Sequence, residues 1–502
     1  MTPLHPDARP LVPGRQLFVD DFLIEHTTLT REFHQPVKHS GNPVLAPESA
    51  LENANNLPLA GPKSGGVWWD PQDRQFKLWY EAGWLGASAY ATSADGLHWQ
   101  RPALDIDPGT NRILPGLRPD SSTVFLDHAA TDPAQRFKLF LRPPDGPEGT
   151  KTTGFVAMSA DGVHWSEPIP TGYSGDRSTF YHDPFRNEWV FSLRFLENGK
   201  RIRRRHAHAD FLQAAQWRDG DPVFWAAADE LDPPHPSVGL PAQLYNLDAV
   251  AYESLILGLF QIHRGPPNEE CMTTGRPKIT DLTLAYSRDG FTWHRPDRRP
   301  FIAGTDTPGS WERGYIQSVG GVCTLVGDEL WFYYIGFRGD PAQLDSDWRK
   351  NGMYAHGSTG LARLRRDGFA SLNTTPATGH TGTLTTRAFL ANGAHLFVNV
   401  NNPAGELRAE ILDASTGTVI DPFTAAACRP ISADSTRIEL TWSGSSSATL
   451  TALAGRAIRI RFTLTRGKLY SFWLTPDASG ASHGYTAAGG PGLTGATDTT
   501  GK

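Results

Sequence analysis

Thr92–Pro102 reads TSADGLHWQRP, and the same turn returns as MSADGVHWSEP at Met158–Pro168 and YSRDGFTWHRP at Tyr286–Pro296. A worn copy, RRDGFASL, occupies Arg365–Leu372. The shared pattern is Ser-x-Asp-Gly-x-x-Trp. Asp-Gly makes a tight turn, because Gly accepts a positive φ and Asp bonds its own backbone. The Trp that follows can anchor the outgoing strand between sheets. Asp95 to Asp161 spans 66 residues, Asp161 to Asp289 spans 128, and Asp289 to Asp367 spans 78. The doubled interval leaves room for one degraded copy, and QWRDGDPVFW at Gln216–Trp225 fills it. Five units of about 65 residues, each with space for four short strands, predict radial β repetition.

The segments ahead of each turn agree with that count. GGVWWD (65–70) and FKLWYEAG (76–83) belong to the first unit, STVFLD (122–127) and RFKLFLR (136–142) to the second. STFYHD and EWVFSLR, AVAYE and LILGLFQIH, and GGVCTLV and ELWFYYIG follow in the other three. The predicted fold is all-β: a five-bladed β-propeller over residues 15–372, then a C-terminal β-sandwich over 378–476. QLFVDDFLIE (16–25) is expected to supply a strand that closes the ring. Beyond Asn373, segments such as HLFVNVN, IRIRFTL and KLYSFWL alternate with the strand period of two. The Gly/Ala/Thr-rich segment 477–502 is expected to be disordered.

Composition narrows the function. The chain has 502 residues, 50 Gly and 39 Pro, a turn-rich balance, and a net charge of −6. That charge gives no nucleic-acid footprint. The basic run at 200–205 (KRIRRR) is expected to be a solvated strand edge. Three Cys with no metal or disulfide spacing suit a reducing compartment. No signal-peptide pattern or membrane-length apolar stretch is seen, so a cytoplasmic location is expected and no membrane partner. No phosphate loop, HExxH or GxSxG is present, and no metal or cofactor is called for.

The layout resembles the five-bladed propeller glycosidases of the invertase, levanase and arabinanase type. The S-x-DG-x-x-W turns, FVDDFLIE, GDRSTFYHDPFRNEWVFSLR and YNLDAVAYES carry the resemblance in the propeller, and LTTRAFLANGAHLFVNVN with GELRAEILD carries it in the sandwich. The sequence lacks the better-known Asp-Pro-Asn-Gly, Arg-Asp-Pro and Glu-Cys-Pro signatures at inner strand starts. The resemblance implies a glycoside hydrolase, exo-acting on a fructosyl or arabinosyl furanoside, with an oligosaccharide or glycoside as its partner. A non-catalytic sugar-binding propeller, an interaction scaffold and a sialidase-like enzyme remain alternatives. The sandwich is read as structural and as a candidate for self-association into a homo-oligomer.

Position within each blade selects the candidates. In the resembled enzymes the carboxylates sit where the first strand begins, at one mouth of the channel, and the end of the second strand returns to that face. Strand starts place Asp120, Asp176 and Asp248 there, with Lys63 at the matching point of the first blade; Arg177 and Asn246 adjoin them. Strand ends add Glu81, Arg142, Arg194 and His263. Mouth loops contribute Glu270, Asn55, Trp311 and Glu312. Glycoside hydrolysis needs two carboxylates, one to donate a proton and one to attack or to activate water. Asp176 and Asp248 form the expected pair, Asp120 the third member, and Glu81 or Glu270 the acid. Asp183, in HDPFRN, and Glu253 fall at the far strand ends and read as turn residues.

Overall fold

The computed structural model describes residues 8–146, 152–443 and 450–501. The expected ranges 378–476 and 477–502 therefore include residues 444–449 and 502 that lie outside the described set. The protein is all-β. Its two described α-helices are the short Phe211–Ala214 and Asn268–Thr274. No described helix is long and apolar enough to cross a membrane.

Five antiparallel sheets follow one another along the chain, each built from consecutive strands. The first holds Val67–Asp70, Gln75–Ala82 and Ala87–Ser93, with Ala60–Gly61 beside the second strand. The second runs Ser121–Leu126, Phe137–Arg142, Thr153–Ser159 and Ile169–Tyr173. Thr179–Asp183, Glu188–Glu197, Lys200–His208 and Val223–Ala226 make the third. In the fourth, Gln243–Glu253, Leu255–Gly265 and Ile279–Ser287 precede the short Ile302–Ala303. The fifth has its opening strand broken into Gln317–Ser318 and Thr324–Val326, followed by Glu329–Phe337 and Gly357–Arg365. The opening strands touch in a cycle, first to second and on to the fifth, which returns to the first.

The Asp-Gly turns work as mechanical couplings between these sheets. In the first copy Asp95 Oδ1 accepts the N–H groups of Leu97 and His98, and Ser93 Oγ accepts that of Gly96. The turn Gly has φ of +75° at Gly96, +83° at Gly162 and +69° at Gly290. A Cβ at these positions would lie 2.5 Å from Tyr333 Oη, 2.5 Å from the Trp79 ring and 2.3 Å from Asp183 Oδ2. Each contact reaches a neighbouring sheet, so Gly is required twice over, for its backbone and for its missing side chain. Gly162→Ala should cost about 1–3 kcal/mol from the strained backbone, before the clash with Trp79. Urea unfolding checks this; an unchanged midpoint would mean that the turn does not brace the sheets.

Ring closure differs from the sequence expectation. The fourth strand of the fifth sheet is Val37–Lys38, paired with Ala362 and Arg363, and not the segment 16–25. Gln16–Leu17 instead pairs with Phe472 and Ser471, and Ile24–Thr27 with 384–386. These N-terminal strands enter two further sheets made with the C-terminal region. One orders Thr30–Phe33, Ala370–Asn373, Lys468–Thr475, His395–Asn401 and Asp434–Leu440. The other joins Thr381–Thr386, Ala457–Thr465 and Glu406–Asp413. A shared apolar core, with Phe18, Leu384, Val398, Ile411, Phe462 and Phe472 buried, lies between them.

Segment 477–501 is not the disordered tail expected from its composition. Tyr485–Thr486 pairs with Tyr252 and Glu253 at the far end of the fourth sheet's opening strand. Ala488 N–H donates to Cys323 O (3.0 Å), Trp69 N–H to Ala488 O (2.9 Å), and Leu325 N–H to Gly489 O (2.8 Å). The segment thus bonds to the opening strands of three sheets. Small residues permit it: a Cβ at Gly490 would fall 1.7 Å from Leu325 O. Gly and Ala here serve close backbone approach, a use that composition alone does not separate from disorder.

A buried ionic cluster joins this segment to the ring and to the C-terminal sheets. Arg366 bonds Glu253 (3.2 Å) and Asp498 (3.1 Å). Arg15 bonds Asp367 (3.0 Å), which also accepts from Tyr252 (2.6 Å) and Ser471 (2.6 Å). All are essentially inaccessible to solvent.

Candidate functional site

The opening strands begin at one end of the ring, and the second strands finish there. Asp120 N–H donates to Arg142 O (2.9 Å) and Gly175 N–H to Arg194 O (3.0 Å), so these strand starts and strand ends meet. Two of these corners are strained. Lys63 and Ser64 have φ of +46° and +79°, and Arg177 has +58°. Such conformations in non-Gly residues persist where surrounding contacts over-determine them. The Arg177 guanidinium supplies those contacts, donating to Lys63 O (2.5 Å) and Ser64 Oγ (3.1 Å).

Asp120 and Asp176 sit side by side. Arg177 N–H donates to Ser121 Oγ (2.5 Å), tying the two corners together. Asp120 bonds Arg142 (2.9 Å), and Asp176 bonds Arg194. Their side chains are 12% and 25% exposed, enough for a ligand to reach them. Their protonation preferences are opposed. Burial and the adjacent charge of Asp176 push Asp120 above the usual carboxylate range. Burial works to raise Asp176 as well, but Arg194 and Arg201 outweigh it and hold it below that range. Two neighbouring carboxyls are thereby biased in opposite directions, one toward its protonated form and one toward its ionised form.

Glu81 adjoins them but is fully engaged. Lys63 Nζ lies 2.6 Å from its Oε2 and Leu85 N–H donates to its Oε1 at 2.6 Å. Burial raises it more than Lys63 lowers it. The Lys63 ammonium stands 3.7 Å above the Trp84 ring, which stacks on Tyr354 at 4.0 Å. Asp248 is only 2% exposed; its Oδ2 accepts from Ser64 (3.1 Å), Asn246 (2.9 Å) and Ser318. Burial raises it, with Arg177 opposing. It ties the Lys63–Ser64 corner to the opening strands of the fourth and fifth sheets. His263, 5% exposed, packs its ring 5.8 Å from Tyr245, and burial drives it far toward neutrality.

Four other residues expected at the mouth lie on connecting segments. Glu270 lies on the short surface helix Asn268–Thr274 and pairs with Arg276 (2.5 Å). Asn55 is exposed in the loop before the first sheet. Glu312 is bound to Lys38 (2.8 Å) and Tyr334 Oη (2.8 Å), between the outer strands of the fourth and fifth sheets. Trp311 packs on Tyr334 beside it. At the opposite strand ends, Asp183 accepts Phe185 N–H (3.0 Å) and pairs with Arg186 (2.8 Å) as a turn residue.

Other side chains at the mouth went unnoticed in the sequence. Lys278 Nζ donates to Tyr245 Oη (3.1 Å) and Tyr354 Oη (3.3 Å). Arg201 also packs over Tyr245, 5.1 Å from its ring centroid. Arg203, fully buried, donates to Arg177 O (2.7 Å) and to Tyr245 O. The run 200–205 is thus not a solvated edge, since alternate arginines turn inward. Arg201 and Lys278 begin third strands, and the hairpin geometry that returns strand two to the mouth starts strand three there too. Among the described residues no cluster of His, Cys, Asp and Glu is placed to hold a metal ion.

No family model matches the chain, and no curated protein matches it. Solved structures with a related arrangement include an N-acetylgalactosamine deacetylase from F. plautii in complex with blood group B trisaccharide, at 15% identity and TM-score 0.41 over 72% of this chain and 96% of that one. A thermostable family-43 glycoside hydrolase matches at 10% identity and TM-score 0.40, over 62% and 93%. A structure from work on mannoside phosphorylases and hydrolases that target β-1,2 mannosidic linkages in Candida mannan matches at 14% identity and TM-score 0.41, over 66% and 94%.

Proposed function

We propose that the protein is a glycoside hydrolase, that its five cyclic sheets are the blades of a propeller over 15–372, and that the two C-terminal sheets form a sandwich. The observation that carries the enzymatic reading is the adjacent pair Asp120 and Asp176, one raised and one lowered, at the accessible end of the ring. Asp120 donates a proton to the leaving glycosidic oxygen. Asp176, ionised against Arg194, attacks the anomeric carbon or draws the proton from a water that does. Glu81 fixes Lys63, and Asp248 fixes the Ser64 and Ser318 hydroxyls. Trp84 and Tyr354, buried and stacked on each other, hold the Lys63 ammonium in place. The resemblance in the S-x-DG-x-x-W turns supports a furanoside cleaved from a chain end.

Release of sugar from aryl furanosides, aryl pyranosides and short fructans and arabinans tests this. Hydrolysis of a furanoside supports the full reading, and hydrolysis of a pyranoside alone keeps the enzyme and discards the furanoside. Silence across the panel, with sugar binding retained, would replace it with a binding protein.

The pH profile of kcat/KM follows from the opposed carboxyls. Activity needs Asp176 ionised, so the acid limb falls below the ordinary carboxylate range. It also needs Asp120 protonated, so activity declines as pH rises through that group's raised value. Arg142 favours the charged form of Asp120. Arg142→Met should therefore move the alkaline limb to higher pH; no movement would remove Asp120 from the donor role.

A further inference from the structure

Positive charge at the mouth exceeds what its carboxylates neutralise. Lys63 is matched by Glu81, Arg142 by Asp120 and Asp145, and Arg194 by Asp176. Arg201 and Lys278 have no carboxylate within ion-pair distance among the described residues. Both pack on one phenol ring: the Lys278 ammonium is 4.6 Å and the Arg201 guanidinium 5.1 Å from the centroid of Tyr245. Lys278 is 1% exposed, and its ammonium meets two phenol hydroxyls, Tyr245 Oη and Tyr354 Oη. Arg201, half-buried, bonds the neutral Gln243 side-chain oxygen at 2.9 Å. His263, whose ring also packs against Tyr245, has a buried Nε2 with no hydrogen-bond partner.

Arg201 and Lys278 share with Arg194 the single nearby charge of Asp176, and the remaining deficit is met when an anion binds beside them. A purely structural role would have been served by a carboxylate or a neutral side chain. The geometry points to an oxyanion subsite formed by Arg201 and Lys278 beside Asp176, which takes a carboxylate or phosphate group accompanying the sugar. This rests on the glycosidase reading for its place in the reaction, since the subsite adjoins the carboxyl pair. The oxyanion has two sources, a uronic-acid unit of the substrate or free inorganic phosphate, and Arg suits the planar two-oxygen face of either.

Thermal melting of the full chain in low salt, with glucuronate, inorganic phosphate, glucose and matched NaCl as separate additions, tests the subsite by binding alone. Glucuronate or phosphate should raise the melting temperature, with glucose and NaCl ineffective. A response to glucuronate alone assigns the anion to the sugar, and a response to phosphate alone assigns it to the free ion. Arg201→Gln, at a half-exposed position that leaves the core intact, should weaken that binding about 10- to 100-fold. Arg201→Lys should restore part of it. Equal shifts with glucose, no shift with either anion, or an unaltered response in Arg201→Gln would overturn the proposal. Anion binding with no hydrolysis in any substrate panel would keep the subsite and discard the glycosidase reading. Hydrolysis of neutral glycosides with no anion response would do the reverse.

Discussion

Asp176→Asn should reduce kcat by at least about 10³-fold and leave a folded protein that still binds sugar. Asn keeps the shape of the side chain but cannot carry the charge that Arg194 and Arg201 stabilise. It can neither attack an anomeric carbon nor take a proton from water. The substitution also withdraws the negative charge that raises Asp120, so the residual activity should have a shifted alkaline limb. Glu270→Gln provides the contrast. It removes one surface pair with Arg276, and an exposed pair of that kind contributes at most about 1 kcal/mol to stability. Its kcat should match the parent. Initial rates on the best substrate of the panel, with melting curves run beside them, decide the matter. A parent-like rate in Asp176→Asn would exclude the mouth carboxyls, and a large loss in Glu270→Gln would move the chemistry to the surface helix.

Arg366→Ala has the largest expected effect on stability, about 3–5 kcal/mol, as found when one partner of a buried ion pair is removed. Glu253 and Asp498 would both be left inside the protein without the guanidinium that faces them. Arg15 stays near Glu253 at 3.4 Å, so the loss falls most heavily on Asp498 and hence on segment 477–501. Two measurements separate the contributions: urea unfolding of Arg366→Ala, and proteolysis after the C-terminal sheets. The expected variant unfolds at lower urea and is clipped in segment 477–501 first. Parent-like unfolding would show that the cluster contributes nothing net, as replacement by apolar groups does in some proteins.

The mouth was legible because strand order is legible. Knowing where strand one begins and strand two ends was enough to bring Lys63, Glu81, Asp120, Arg142, Asp176 and Arg194 together. The same rule applied to third strands would have added Arg201 and Lys278. Asn55, Trp311, Glu312 and Glu270 were chosen by residue type on loops, and type says nothing about where a loop turns. Glu312 shows the cause: its partners, Lys38 and Tyr334, lie 274 and 22 residues away, and no local pattern announces them. The N-terminal strands were misplaced for a similar reason. A two-residue strand such as Gln16–Leu17 has no periodicity of its own, and only its partner, Lys468–Thr475, assigns it to a sheet.

Segment 484–490 gives the ring a floor. Its backbone bonds to three opening strands at the end away from Asp120 and Asp176, so a change that loosens this one segment should be felt by three sheets at once.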